Sequence, residues 1–92
     1  MDDDQISRRI KLRHLRALIA VAQSGSMARA AEQLSVSQPV VSKAIAELEQ
    51  IVGVALFDRI AHGVTPTLYG RALLNRSEKG AASGQRLGVA PE

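Results

Sequence analysis

Four side chains close together in the sequence offer hydrogen-bonding and apolar groups at helical spacing: Gln38, Pro39, Ser42 and Lys43. A glutamine amide can pair with adenine through two hydrogen bonds, and a proline ring can pack against a thymine methyl group. A serine hydroxyl suits a base or a phosphate, and a lysine suits guanine or a phosphate. The group therefore predicts recognition of a nucleic-acid surface, and the alternative is that these are ordinary solvated helix residues.

Three hydroxyl side chains stand where helices are expected to begin: Ser26, Ser37 and Thr67. Serine and threonine favour such positions because the side-chain oxygen accepts a hydrogen bond from an otherwise unpaired backbone N–H. Capping alone explains all three. Helix starts also hold phosphates, so Ser26 and Ser37 are additional candidates for DNA contacts.

The remaining candidates are one arginine and two histidines. Arg59 either faces a DNA backbone or forms an ion pair with Glu49 or Asp58. We expect His62 and His14 to be solvent-exposed residues, and His62 to lie at a turn. Two isolated histidines in a chain without cysteine predict no metal site.

Nothing in the sequence indicates an enzyme, and no cofactor is expected. No nucleophile is paired with a base, and there is no glycine-rich phosphate loop or carboxylate cluster on a predicted element. The acidic run Asp2, Asp3 and Asp4 is expected to be a solvated terminal segment.

Composition places the chain among small basic globular domains. Its 92 residues are 46% apolar but include one Phe, one Tyr and no Trp, which favours closely packed helices over a large sheet. The formal net charge of +3 suits nucleic acid or an anionic membrane surface. No apolar run approaches the roughly 20 residues that span a bilayer, so we expect a cytoplasmic protein without membrane contact.

Apolar periodicity and capping signals predict the elements that hold these residues. A first helix over residues 11–23 buries a stripe that includes Leu12, Leu15 and Leu18, and Gly25 ends it. A short second helix over residues 27–34 and a third over residues 38–52 follow, with Pro39 in the first turn of the third.

The spacing of apolar residues no longer fits a helix after Gly53. Residues 56–66 predict a small hairpin, and a fourth helix starts at Thr67. The expected boundaries are a flexible N-terminal extension (1–10), a helical domain with a hairpin (11–66), the start of a linker helix (67–77) and a glycine-rich flexible tail (78–92).

This order of elements is the winged helix-turn-helix arrangement: a mainly α fold with a three-helix core, a β-hairpin wing and a fourth linker helix. From Leu12 to about Leu74 the chain resembles the N-terminal domain of LysR-type regulators. The matching segments are residues 15–18, 30–31, 37–43 and 48–49, and the matching single residues are Ser26, Leu34, Ile45, Gly53, Leu56, Phe57, Arg59, Thr67 and Gly70.

The resemblance implies a bacterial transcription regulator that binds double-stranded promoter DNA. The third helix would lie in the major groove and the wing at the minor groove, with Gln38, Pro39, Ser42, Lys43 and the wing residues Arg59 and His62 as contacts. The family implies a homodimer, or a tetramer in a longer regulator. The fourth helix forms the dimer interface there, and this chain offers Leu68, Tyr69, Ala72 and Leu73.

The chain departs from the family in two places. His62 stands at the wing tip, where members often carry arginine or lysine for the minor groove. The sequence also ends where members continue into an effector domain, so it is either part of a longer regulator or a small regulator without a sensor, and a small-molecule effector is expected only with that domain. The alternative function is a protein-interaction module that dimerises without recognising DNA.

Overall fold

The computed structural model describes the backbone of residues 8–82 and the side chains of residues 8–76. In this part of the chain the elements are α1 (Leu12–Ser24), α2 (Met27–Leu34), α3 (Gln38–Val52), β1 (Phe57–Ile60), β2 (Gly63–Pro66) and α4 (Leu68–Ala82). The two strands are antiparallel, with Phe57 opposite Pro66 and Ile60 opposite Gly63. The predicted winged helix-turn-helix fold is confirmed.

Local signals explain where the helices begin and end. Gly25 and Gly53 follow α1 and α3 with φ of 73° and 81°, in the left-handed region that glycine adopts without steric cost. The Ser26 and Thr67 side chains accept hydrogen bonds from Arg29 N (3.2 Å) and Gly70 N (3.1 Å). These predicted caps are confirmed.

Small side chains let the first three helices approach closely. Ala30 and Ala31 of α2 are buried between α1 and α3, and Leu18 and Leu48 are fully enclosed. The core is completed by Ala17, Ala20, Val21, Val41, Ala44, Ile45 and Leu56.

The buried stripe of α1 differs from the prediction. Leu12 is exposed and Leu15 is half-buried, whereas His14, Ala17 and Val21 face the core. The helix is therefore rotated relative to the leucine stripe, because a histidine whose two ring nitrogens are hydrogen-bonded can occupy an interior position.

Two boundaries also differ. Arg8 and Arg9 are helical and Ile10 packs against the core, so the ordered domain starts before residue 11. Helix α4 continues to Ala82 rather than fading at Ser77, because one glycine inside a helix costs only about 1 kcal/mol and alanines favour the helix. Most of the predicted extension and tail, residues 1–7 and 83–92, lies outside the described residues.

Candidate nucleic-acid interface

The first two turns of α3 carry the four side chains predicted to contact DNA bases or phosphates on an exposed surface. We call Gln38, Pro39, Ser42 and Lys43 the reading residues, and the side of α3 that they occupy the reading face. Ser37 precedes the helix in an extended conformation, and Pro39 occupies its first turn, where the missing N–H leaves no bond unmade. Gln38, Pro39, Ser42 and Lys43 are all exposed, while Val41 of the same turns is buried. One face of the helix thus holds it to the core, and the opposite face presents polar groups to solvent.

The two serines at helix starts differ in how their hydroxyl groups are used. Ser26 is half-buried and its Oγ accepts from Arg29 N. Ser37 stands at the N-cap position of α3, but its side chain forms no capping hydrogen bond. The exposed Ser37 hydroxyl therefore keeps its hydrogen-bonding capacity for another partner, which the capping prediction did not anticipate.

The wing is held against the turn between α1 and α2. Val64 N donates to the Gly25 carbonyl at 3.0 Å. Gly63 lies so close to that carbonyl that a Cβ would overlap it, and its φ of 139° also favours glycine. This packing brings Ser26 beside the wing, whose exposed Arg59 and His62 lie on β1 and in the β1–β2 turn.

A second bond ties the wing to the end of α3. The Glu49 carboxylate accepts a hydrogen bond from Leu56 N at 2.8 Å, just before β1 begins. Among the ion pairs between described side chains, none joins Arg59 to Glu49 or Asp58. The ion-pair alternative for Arg59 is therefore wrong: Glu49 bonds a backbone N–H instead, and Arg59 remains exposed on the wing.

Sequence reasoning missed a polar link between α1 and α3. His14 is only 2% exposed, so the expectation of a solvent-exposed histidine is wrong. Lys11 N donates to its Nδ1 at 2.9 Å, which leaves the proton of the neutral ring on Nε2, and Nε2 lies 3.0 Å from Glu47 Oε1. The sequence signal was the separation of His14 from Leu18 by one helical turn, which places both on the face that packs against α3.

The link makes Glu47 an unusual acid on the reading helix. Its pKa is lowered from 4.5, first by the hydrogen bond from His14 and further by the nearby charges of Arg13 and Lys43, while partial burial acts in the opposite direction. Arg13 Nη2 lies 3.5 Å from the same oxygen. The carboxylate is thus ionised at neutral pH and paired with α1, so its charge is partly compensated beside a surface proposed to meet phosphates.

Helix α4 presents the predicted apolar strip only in part. Leu68 is 78% and Tyr69 58% exposed, and Ala72 is also exposed. Leu73 turns inward and packs against the core. The exposed strip is therefore Leu68, Tyr69 and Ala72.

The family described as "Bacterial regulatory helix-turn-helix protein, lysR family" matches residues 12–71, which is most of the chain. The chain belongs to the LysR family. The part that the structure describes is its helix-turn-helix DNA-binding domain, and that family is a class of transcriptional regulators rather than of enzymes.

Relatives and solved structures support this assignment. The LysR-type chain is 49% identical over 71 residues to the HTH-type transcriptional regulator YdcI of Escherichia coli K12, covering 77% of this chain and 23% of YdcI. It is 48% identical over 66 residues to the small neutral protease regulatory protein of Streptomyces coelicolor, covering 72% of this chain and 21% of the relative. The chain thus spans under a quarter of these relatives.

Two solved DNA complexes contain domains of the same shape. The CbnR DNA-binding domain bound to DNA aligns with a TM-score of 0.75 and 37% identity, covering 85% of this chain and 90% of that one. The BenM DNA-binding domain on benA site 1 DNA aligns with a TM-score of 0.74 and 32% identity, covering 80% and 83%. Within residues 8–82 of the LysR-type chain, no helix is long and apolar enough to cross a membrane.

Proposed function

We propose that the domain binds double-stranded promoter DNA sequence-specifically, as part of a bacterial transcription regulator acting in the cytoplasm. The observation that carries the proposal is the exposed row Gln38, Pro39, Ser42 and Lys43 at the start of a helix whose other face is fixed in the core. Similar domains have been solved on DNA. Helix α3 would enter the major groove, which is wide enough to admit a helix.

The wing supplies the second proposed contact. Arg59 and His62 would approach the adjacent minor groove, and the hydroxyl groups of Ser26 and Ser37 would meet phosphates. A neutral His62 carries no charge toward the groove, so we assign most of the wing's electrostatic attraction to Arg59.

We propose a homodimer because the apolar strip on α4 is exposed. Leu68, Tyr69 and Ala72 are apolar groups that a second copy would remove from water. Dimers place two reading helices on one side of the DNA at half-sites about one helical turn apart. Tetramers and a small-molecule effector enter the proposal only for a longer protein that carries an effector domain.

The test is binding to a labelled duplex with the interrupted inverted repeat that LysR-type proteins use, followed by fluorescence anisotropy across a range of salt concentrations. We expect binding that weakens with salt and prefers the repeat over a scrambled duplex. Gln38→Ala should lose about 1–3 kcal/mol of that preference.

Gln50→Ala is the matched control, because Gln50 is an exposed glutamine near the other end of α3. It should leave both affinity and preference unchanged. Equal affinity of the unmodified protein for repeat and scrambled DNA would refute sequence recognition and would favour the alternative, an interaction module that only dimerises.

A further inference from the structure

A groove of about 460 Å³ lies between α1 and the start of α3, beside the reading face. Its apolar floor includes Val36 and Val40, and both side chains are exposed to solvent, Val40 to 53%. Arg13 and Arg16 of α1 and Lys43 of α3 stand around it. We call this cavity the α1–α3 groove.

The rim of the α1–α3 groove carries positive charge that the rest of the described fold does not neutralise. Glu47 is the one acid among its lining residues, and that carboxylate is already bonded to His14 and paired with Arg13. Among the side chains of residues 8–76, no ion pair involves Arg16 or Lys43. An apolar floor with unpaired cations at its edge suits an occupant that combines carboxylates with an aliphatic side chain.

The N-terminal segment of this chain has that composition. Asp2, Asp3 and Asp4 are followed by Ile6, and this acidic run has no place in the DNA-binding role. The segment is joined through Arg8 to α1, and the first turn of that helix carries the groove residue Arg13. The residues between Asp4 and Arg8 can span up to about 14 Å, and a short tether raises the local concentration of its end to the millimolar range.

We propose that residues 2–6 dock in the α1–α3 groove, with the aspartates against Arg16 and Lys43 and Ile6 on the apolar floor. Lys43 is shared between this groove and the reading face, so the docked segment competes with DNA. That consequence rests on the DNA contact proposed for Lys43, whereas the docking itself does not.

The direct test uses the absence of cysteine from the chain, since one introduced cysteine can then be labelled uniquely. A nitroxide on Gln5→Cys should broaden the amide NMR signals of Val36 and Val40 in the DNA-free protein. The matched control carries the same label with Asp2→Asn, Asp3→Asn and Asp4→Asn, and there the broadening should be lost. Unchanged core signals in both proteins verify the fold.

Three results would overturn the proposal. Equal broadening in both labelled proteins would show that the aspartates are not needed. A lack of broadening at Val36 and Val40 in the labelled parent would show that the segment lies elsewhere. Broadening of an isotope-labelled copy by a separate nitroxide-labelled copy would assign the groove to a second molecule.

The consequence for DNA is measured separately. A segment docked in about nine-tenths of the molecules weakens the apparent affinity about tenfold, so neutralising Asp2, Asp3 and Asp4 should tighten binding by up to that factor. The control neutralises three other acids, with Glu32→Gln, Glu78→Gln and Glu92→Gln, to give the same net charge. Equal tightening in both proteins would refute competition by docking. Failure of every variant to bind DNA would instead refute the DNA-binding role and leave the NMR result to decide the docking.

Discussion

At the scale of single residues, the proposed DNA-binding surface combines groups suited to recognising a base with groups suited to binding any DNA. The amide of Gln38 can tell adenine from other bases because it matches a donor and an acceptor at once. The ammonium of Lys43 is an exposed point charge at the edge of the same surface, which suits a phosphate of a bound duplex. Removal of Gln38 or of Lys43 should therefore change DNA binding in different ways.

Lys43→Ala is expected to weaken binding to the repeat and to scrambled DNA by similar factors. One phosphate contact fewer should reduce the slope of log affinity against log salt by about 1. Anisotropy titrations at several salt concentrations give both quantities, with Arg71→Ala on exposed α4 as a charge-matched control. A loss confined to the repeat would show instead that Lys43 reads a base.

Glu47, which also lies on α3, leads to a prediction about how stability depends on pH. Folding lowers the pKa of Glu47, so the folded protein holds the proton less tightly than the unfolded chain. The resulting stabilisation is present above the ordinary value of 4.5 and is lost as the pH falls through the lowered pKa of the folded state. The ionised Glu47 carboxylate thus stabilises the α1–α3 contact more at neutral pH than at acidic pH.

Glu47→Gln tests this directly, because the amide oxygen can still accept from His14 Nε2. We expect the variant to melt at a lower temperature than the parent near pH 7, and the difference to shrink below pH 4.5. Thermal unfolding followed by circular dichroism at a series of pH values measures it. A difference independent of pH would assign the effect to packing rather than to charge.

At the scale of elements, close backbone contacts position the wing together with the packing of Phe57 and Val64 against the core. Gly70 of α4 is buried against the Leu56 carbonyl, which also accepts from Thr67 N at 2.9 Å. The Thr67 hydroxyl in turn donates to the Ala55 carbonyl at 2.7 Å. These contacts join the start of α4 to the segment before β1, so the wing and the linker helix are coupled.

Gly70→Ala is predicted to break this coupling. A Cβ there would overlap the Leu56 carbonyl, so we expect a loss of about 1–3 kcal/mol in the free energy of unfolding. A glycine without such a neighbour would gain up to about 1 kcal/mol from the same change, since alanine favours helices. Chemical denaturation measures the sign of the change in the free energy of unfolding. An increase in stability would contradict the close approach of Gly70 to the Leu56 carbonyl.

At the scale of the whole molecule, the proposed homodimer depends on the exposed face of α4. The exposed strip on α4 consists of Leu68, Tyr69 and Ala72, so it begins next to the wing. A stable interface buries about 1,200 Å² or more, which requires a larger part of α4 than these three residues. Association of the domain alone should therefore be weak.

Leu68→Glu should shift the association equilibrium further toward the monomer in sedimentation equilibrium. It should also weaken binding to the full repeat much more than binding to a half-site, because the second reading helix is no longer held in place. Gln50→Glu adds the same charge at an exposed position of α3, away from the strip, and should leave the monomer fraction unchanged. Equal effects of the two variants would show that the strip is not part of the dimer interface.

The elements of this fold could be predicted from the sequence because their signals are local. Glycines after α1 and α3, the caps Ser26 and Thr67, and Pro39 in the first turn of α3 act within a few residues of where they stand. The exposure of Gln38, Pro39, Ser42 and Lys43 could be predicted for the same reason, since it follows from the apolar face of one helix, and their contact with DNA stays a prediction.

Only the tertiary structure decided which groups meet across the domain. The bond between His14 and Glu47 joins residues 33 positions apart, and periodicity alone favoured a leucine stripe that left His14 outside. The wing's orientation depends on Gly25, Glu49 and Gly70, whose partners lie on other elements. Sequence by itself determined the helices and their polar faces, because capping and periodicity are short-range; packing decided the buried histidine, the wing and the α1–α3 groove, because each depends on surfaces brought together by folding.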